Sequence, residues 1–181
     1  MSSGSETRRL FLALWPDDGL RETLTALTNG LPEAAQGRRA ARDNLHVTLV
    51  FLGSLDSARQ RCVEEVCAAT RGRTFGLALN TLGWFARPQV LWLGAGQIPA
   101  ALQSLVRDLN EGLAGCGHVP ETREYRAHIT LARKVKRGPR QPQPVQTISW
   151  KVDRFVLVES VPEPRGVRYE VLRSWTLTPG E

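Results

Sequence analysis

The tetrapeptide His46-Val47-Thr48-Leu49 recurs as His128-Ile129-Thr130-Leu131, 82 positions further on (128 less 46) in a chain of 181 residues. Side chains of an extended strand alternate between its two faces, so His46 and Thr48 share one face while Val47 and Leu49 share the other. The second copy divides in the same way, with His128 and Thr130 opposed to Ile129 and Leu131. Each copy thus has an apolar face fit for a core and a polar His/Thr face. A separation near half the chain length fits a duplicated unit, and two such lobes packed about a pseudo-twofold axis bring both polar faces to one cleft.

The flanking sequence supplies a unit around each copy. Periodicity predicts strands over 9–15 and 44–52, the latter closed by Gly53, and helices over 17–29 and 56–70 with acidic or Ser residues at their starts. Strands over 74–82 and 89–93 follow, then an amphipathic helix over 98–113 and a strand over 121–132 that carries the second copy. Residues 31–43 and 133–144, rich in Pro and basic side chains, read as loops. A hairpin closes the chain, 152–161 and 167–177 about a Pro-Glu-Pro-Arg-Gly turn. Many of these connections are too short for parallel crossovers, which favours an α+β fold with antiparallel sheets. No linker divides the chain, so the expected organisation is a disordered tail over 1–7 and a single bilobal domain over 8–181.

Composition agrees with an ordinary globular domain: 41% hydrophobic and 23% charged, with 16 Gly and 11 Pro, far from the disordered and membrane classes. The early apolar run, 10–15, is closed by Pro16, Asp17 and Asp18 and is too short for a signal-peptide core or a membrane span. The three cysteines are an odd number. Cys62 and Cys67 fall in one helix and Cys116 in a Gly-rich turn, so no disulfide framework is implied, which points to a reduced, cytoplasmic protein. Neither their spacing nor that of Cys116-x-His118 fits a zinc site, and neither metal nor cofactor is expected. The charge is less ordinary. Lys and Arg outnumber Asp and Glu by 24 to 18, and residues 123–140 hold seven of those cations against Glu124 alone, which equals the net +6 of the whole chain. A basic strand and loop bracketing the second tetrapeptide suits an RNA chain as partner.

Histidine can act as neutral base or cationic acid near pH 7, so a pair can divide proton removal and proton donation across one reacting centre. A phosphodiester is a natural target. Water loses a proton as it attacks phosphorus, the leaving alkoxide gains one, and hydroxyls with an arginine hold the nonbridging oxygens. No Gly-x-Ser-x-Gly elbow, P-loop or Gly-x-Gly-x-x-Gly occurs in the chain, which leaves hydrolases and nucleotide-binding folds built on those devices unsupported.

These residues and their flanks resemble the 2H phosphoesterase superfamily, named for its two His-x-Thr-x motifs, and within it the RNA 2′,3′-cyclic phosphodiesterase family, also called 2′-5′ RNA ligase. The resemblance runs through Arg9-Leu-Phe-Leu-Ala-Leu-Trp-Pro16, Asn44-Leu-His-Val-Thr-Leu-Val-Phe-Leu-Gly53, Val90-Leu-Trp-Leu93, His128-Ile-Thr-Leu-Ala-Arg133, Val156-Leu-Val-Glu-Ser160 and Tyr169-Glu-Val-Leu172. It implies a bilobal α+β fold, two pseudo-symmetric antiparallel sheets with outer helices and a metal-free central cleft. Carried onto this chain, it makes His46 the proton donor to the leaving 3′ oxygen and His128 the acceptor that activates water. Thr48 and Thr130 would bond the phosphate oxygens and Arg133 would add a charged contact. Strict alternation sets Arg133 on the face away from His128, so the strand must bulge or end there. Tyr125-Arg126-Ala127 stands where relatives often have Phe-x-Pro. Tyr125, Phe51 and Trp84 are candidates to stack on a base, and Arg126 and Arg42 to touch an RNA backbone. The implied activity is metal-independent hydrolysis of RNA 2′,3′-cyclic phosphate ends to 2′-phosphates by a monomer, with ATP-independent 2′-5′ joining as the reverse capacity. Two alternatives stay open: a 2H phosphodiesterase of small cyclic nucleotides or tRNA-splicing intermediates, and a non-catalytic RNA-binding module.

Overall fold

The computed structural model describes residues 6–32 and 37–179. Positions 1–5 of the expected tail lie outside that range, and Glu6 and Thr7 lead without regular structure into the first strand. β1 (Arg8–Leu14) buries its last five residues. α1 (Asp18–Asn29) starts where the Asp17 carboxylate accepts the Leu20 N–H at 2.8 Å and stops at Gly30, the capping chemistry its sequence announced. β2 (Arg38–Arg39) is a short strand inside the expected loop, and a 3-10 turn spans Arg42–Asn44. β3 (Val47–Leu55) begins at the second residue of the first tetrapeptide and runs on past Gly53. Gly53 takes φ 76°, a backbone open to glycine at little strain, so it serves inside the strand and does not close it. α2 (Ser57–Ala69) is capped by Asp56, whose carboxylate accepts the Arg59 N–H at 2.8 Å.

β4 (Phe75–Phe85), β5 (Val90–Gly94) and α3 (Ala100–Leu113) follow, and β6 (His128–Arg133) carries the second tetrapeptide. Residues 121–127, expected as strand, are irregular. β7 (Gln143–Val152), β8 (Arg154–Glu163) and β9 (Gly166–Thr176) complete the chain. β7 escaped the sequence reading because it is an outermost strand whose first half is exposed, and its apolar alternation is confined to the short run Ile148, Trp150 and Val152.

All ladders between these strands are antiparallel, in the order β7-β4-β5-β6-β3-β1-β8-β9 with β2 beside β6. Two half-sheets, β7-β4-β5-β6 and β3-β1-β8-β9, meet through a single pair, Val47 with Ile129. The expected α+β architecture is thus present, with its two antiparallel halves joined at one seam into a single nine-stranded sheet among the described residues. Val47 and Ile129 are fully buried and share one core with Leu24 of α1, Val63 of α2 and Leu102, Leu105 and Leu109 of α3. A smaller apolar cluster, Phe11, Ala13, Val156 and Val158, with Trp15 and Tyr169 packed on it, lies apart from that core.

The cysteines correct the sequence reading. Cys62 on α2 and Cys116 in the 3-10 turn after α3 form a disulfide, and Cys67 is free and buried. Packing of α2 beside the end of α3 creates the pair, a neighbourhood that a sequence separation of 54 does not display.

Candidate active site

The seam between the half-sheets is where the duplication becomes a site. Val47 and Ile129 are themselves 82 positions apart, so each residue pairs with its own counterpart, as a pseudo-twofold axis through that pair requires. The antiparallel register brings His46 and Thr130 to one side of the pair and Thr48 and His128 to the other. Because Val47 and Ile129 face the core at 0% exposure, the two histidines and two threonines share the opposite face.

Matching irregularities extend the symmetry. β1 pairs Ala13 with Thr48 and Leu12 with Val50, leaving Leu49 as an extra residue. β5 pairs Trp92 with Thr130 and Leu91 with Ala132, leaving Leu131. Each bulge buries two successive residues, Leu49–Val50 and Leu131–Ala132, and returns the next one to the His/Thr face. That next residue is Phe51 in one copy and Arg133 in the other. The bulge required for Arg133 is present, and Arg133 lies close enough to both imidazoles for its charge to oppose protonation of each.

The imidazoles are anchored alike. His46 Nδ1 lies 2.7 Å from the Asn44 carbonyl oxygen and His128 Nδ1 lies 2.7 Å from the Arg126 carbonyl oxygen. A carbonyl only accepts, so each Nδ1 carries the proton and each neutral ring keeps a bare Nε2. His46 Nε2 lies 3.0 Å from Thr48 Oγ1. Around His46 stand Phe11 at 4.9 Å, Tyr169 edge-on at 5.2 Å and Trp15 stacked at 5.9 Å. His128 meets Phe85 at 5.4 Å and Trp92 at 6.1 Å. Gly83 makes room for Trp92, since a Cβ there would sit 2.1 Å from the indole. Desolvation in these aromatic surroundings pushes His46 down to about 4, helped by the charges of His128, Arg21 and Arg133. His128 is lowered as well, chiefly by burial and then by Arg133 and Arg126.

A cavity of about 530 Å³ lies along Thr48, Phe51, Phe85, Arg123, Arg126 and His128. Phe51 is 60% exposed, an unusual state for a large apolar ring, and it presents a free face there. Tyr125 also lines the cavity, but its hydroxyl donates to the Thr48 carbonyl at 3.0 Å and burial raises its pKa, so it braces the motif strand. Arg126 lines the cavity and holds His128 through its carbonyl. Arg42 stands apart, its guanidinium bound to Asp18 and Asp43. Trp84 donates to the Val135 carbonyl at 3.0 Å and so supports the basic loop. Trp15, Phe11, Tyr169, Trp92, Phe85, Asn44 and Arg21 were not singled out in the sequence as site residues. For Asn44 a signal existed: it and Arg126 are again 82 positions apart, each two residues before its histidine.

Among known proteins, the RNA 2′,3′-cyclic phosphodiesterase of Escherichia coli (strain K12) is 34% identical over 176 residues, covering 96% of this chain and 99% of that protein. The protein of the same name from Methanothermobacter thermautotrophicus is 32% identical over 177 residues, covering 89% and 94%. The crystal structure of E. coli LigT in apo form superposes with a TM-score of 0.87 at 33% identity, and its complex with 3′-AMP with 0.86 at 33%, each covering 96% of this chain and 99% of the other. A family model matches residues 16–162, from the residue after Trp15 through both histidine motifs and almost to the end of β8. On that match, and on a duplicated fold shared end to end with those relatives, the chain belongs to the 2′-5′ RNA ligase superfamily.

Proposed function

We propose that this chain hydrolyses RNA 2′,3′-cyclic phosphodiester ends to 2′-phosphomonoesters, as the names of its relatives state for them. The observation that supports it most is the pair of imidazoles flanking one pseudo-twofold axis, each held by Nδ1 on a carbonyl with Nε2 left for proton transfer. His128 takes a proton from the water that attacks phosphorus, and His46, protonated, gives one to the departing 3′ oxygen. Thr48 and Thr130 hydroxyls donate to the nonbridging oxygens while Arg133 offsets their charge. The substrate's anion favours the imidazolium that burial of His46 opposes, so phosphate binding and protonation of His46 support one another. A 5′-hydroxyl in place of water gives a 2′-5′ linkage without ATP. Phe51 offers its face to a base and Arg126 lines the same cavity, while Tyr125 braces the motif strand and Arg42 is tied to Asp18 and Asp43.

Each half contributes one histidine, so residues 8–181 act as one bilobal unit, working without metal as a monomer. The test is conversion of an oligonucleotide 2′,3′-cyclic phosphate to its 2′-phosphate in excess EDTA. Wild type should turn over, and His46→Ala and His128→Ala should each lose about a thousandfold in kcat with the fold intact by circular dichroism. Near-normal rates in either variant would overturn the assignment. A small 2′,3′-cyclic nucleotide assayed beside the oligonucleotide separates RNA ends from free nucleotides as substrate.

A further inference from the structure

Beneath His46 lies a charged side chain that the proton transfers do not use. Arg21 of α1 is 4% exposed. Its Nε–H donates to the Pro16 carbonyl at 3.0 Å and an Nη1–H to the Arg42 carbonyl at 2.6 Å, while Nη2 is buried without a hydrogen-bond partner among the described residues. The guanidinium carbon sits 4.8 Å from the centre of the Trp15 ring, and that ring stacks on the His46 imidazole at an interplanar angle of 25°. Guanidinium and imidazole therefore both lie against the one indole ring. The Arg42 carbonyl belongs to the Arg42–Asn44 turn, and the Asn44 carbonyl is the acceptor for His46 Nδ1. One side chain thus holds both the surface on which the imidazole lies and the turn that fixes its tautomer. An apolar residue would fill this volume without the desolvation penalty of a buried cation, so packing alone does not call for an arginine. His128 has no such support: its aromatic neighbours are Phe85 and Trp92, and among the described residues the cation–π contact is at Trp15.

We propose that Arg21 is a positioning residue for His46, fixing the plane and tautomer of one imidazole and so making the two halves of a duplicated site unequal. The proposal rests on the functional reading above. Charged groups reach His46 from α1 through Arg21 and from β6 through His128 and Arg133, with the Tyr169 ring packed on it from β9. Asp43, Asp18 and Asp17 partly balance Arg21, and Arg42 opposes them. All the cations facing His46 resist a proton there, so removing Arg21 lets the imidazole titrate at higher pH.

The experiment is an NMR titration of the histidines in the free full-length protein, with His46 assigned by its loss in H46Q, beside kcat and KM on an oligonucleotide 2′,3′-cyclic phosphate. R21M should raise the His46 midpoint, leave the His128 midpoint in place and lower kcat about tenfold to a hundredfold with KM within about threefold. R21K keeps the charge and loses the fork, so it should lower kcat while the His46 midpoint stays low. Should R21M fail to fold, W15L carries the test, because it removes the stack and leaves both carbonyl bonds of Arg21. A folded R21M or W15L whose His46 midpoint is unmoved and whose kcat stays within about twofold of wild type overturns the proposal. Wild type inactive on the cyclic phosphate would strike the functional reading instead, and the titration, which needs no turnover, would then overturn the role of Arg21 if the His46 midpoint in a folded R21M stayed in place.

Discussion

A histidine whose Nδ1 proton is committed to a backbone carbonyl has one nitrogen left for chemistry, and in this chain both site histidines are committed in that way. Their environments hold both rings below the ordinary imidazole range, His46 at about 4. The sign of the pH effect follows. In the free protein both imidazoles lose their protons below pH 6.5, whereas a bound phosphodiester anion stabilises the imidazolium and moves its titration upward. The basic limb of kcat, which reports the complex, should therefore lie at higher pH than the basic limb of kcat/KM, which reports the free enzyme. Rate profiles in which the two limbs coincide would contradict this. At this scale His46, Thr48, His128 and Thr130 were legible in the sequence because alternation along a strand needs only neighbouring residues. Phe11, Trp15, Tyr169 and Phe85 were not, because the contacts that give them meaning cross between strands far apart in the chain.

Among the elements, two bulges at Leu49 and Leu131 decide what the third position of each motif strand presents. The sequence called for such an irregularity at Arg133 without locating it, since a bulge is a property of a pair of strands and only one strand is read at a time. Strong capping residues made α1 and α2 readable to within one residue at either end. β2, with both residues exposed, and β7, whose first half is exposed and whose inward face is carried mainly by Ile148, Trp150 and Val152, were lost among loop signals. The irregular stretch from 117 to 127, which forms one wall of the cavity, starts beside the Cys62–Cys116 bond. Closing a loop of 54 residues by a covalent link restricts the unfolded chain and is worth about 4 kcal/mol in the chain-entropy account. Thermal unfolding with and without dithiothreitol should show the oxidised protein melting higher, and Cys62→Ser should remove the difference. Identical melting curves in wild type would show that the bond does not form in solution.

Over the whole molecule, the excess charge is placed. Arg133, Lys134, Lys136, Arg137 and Arg140 are all exposed, while Val135 between them is fully buried, donates its N–H to the Gln89 carbonyl and accepts from Trp84. The basic loop is therefore pinned at its middle and holds its cations outward, with Arg38 and Arg39 of β2 paired alongside β6. Replacing Lys134, Lys136, Arg137 and Arg140 together by Gln should weaken binding of a 2′-phosphate-ended oligonucleotide and flatten the logarithmic salt slope by about 0.7 for each phosphate left without a cation. An unchanged slope would leave those charges solvated and idle. The strand order has a consequence in time. β4, β5, β6 and β7 all fall within residues 75–152, so the half-sheet bearing His128 can form as soon as that stretch has left the ribosome. The other half joins β1 to β8 across most of the chain, a closure that must wait for the last strands to be synthesised. Tyr169 arrives with them on β9, so in a nascent chain the surroundings of His46 are completed only after those of His128.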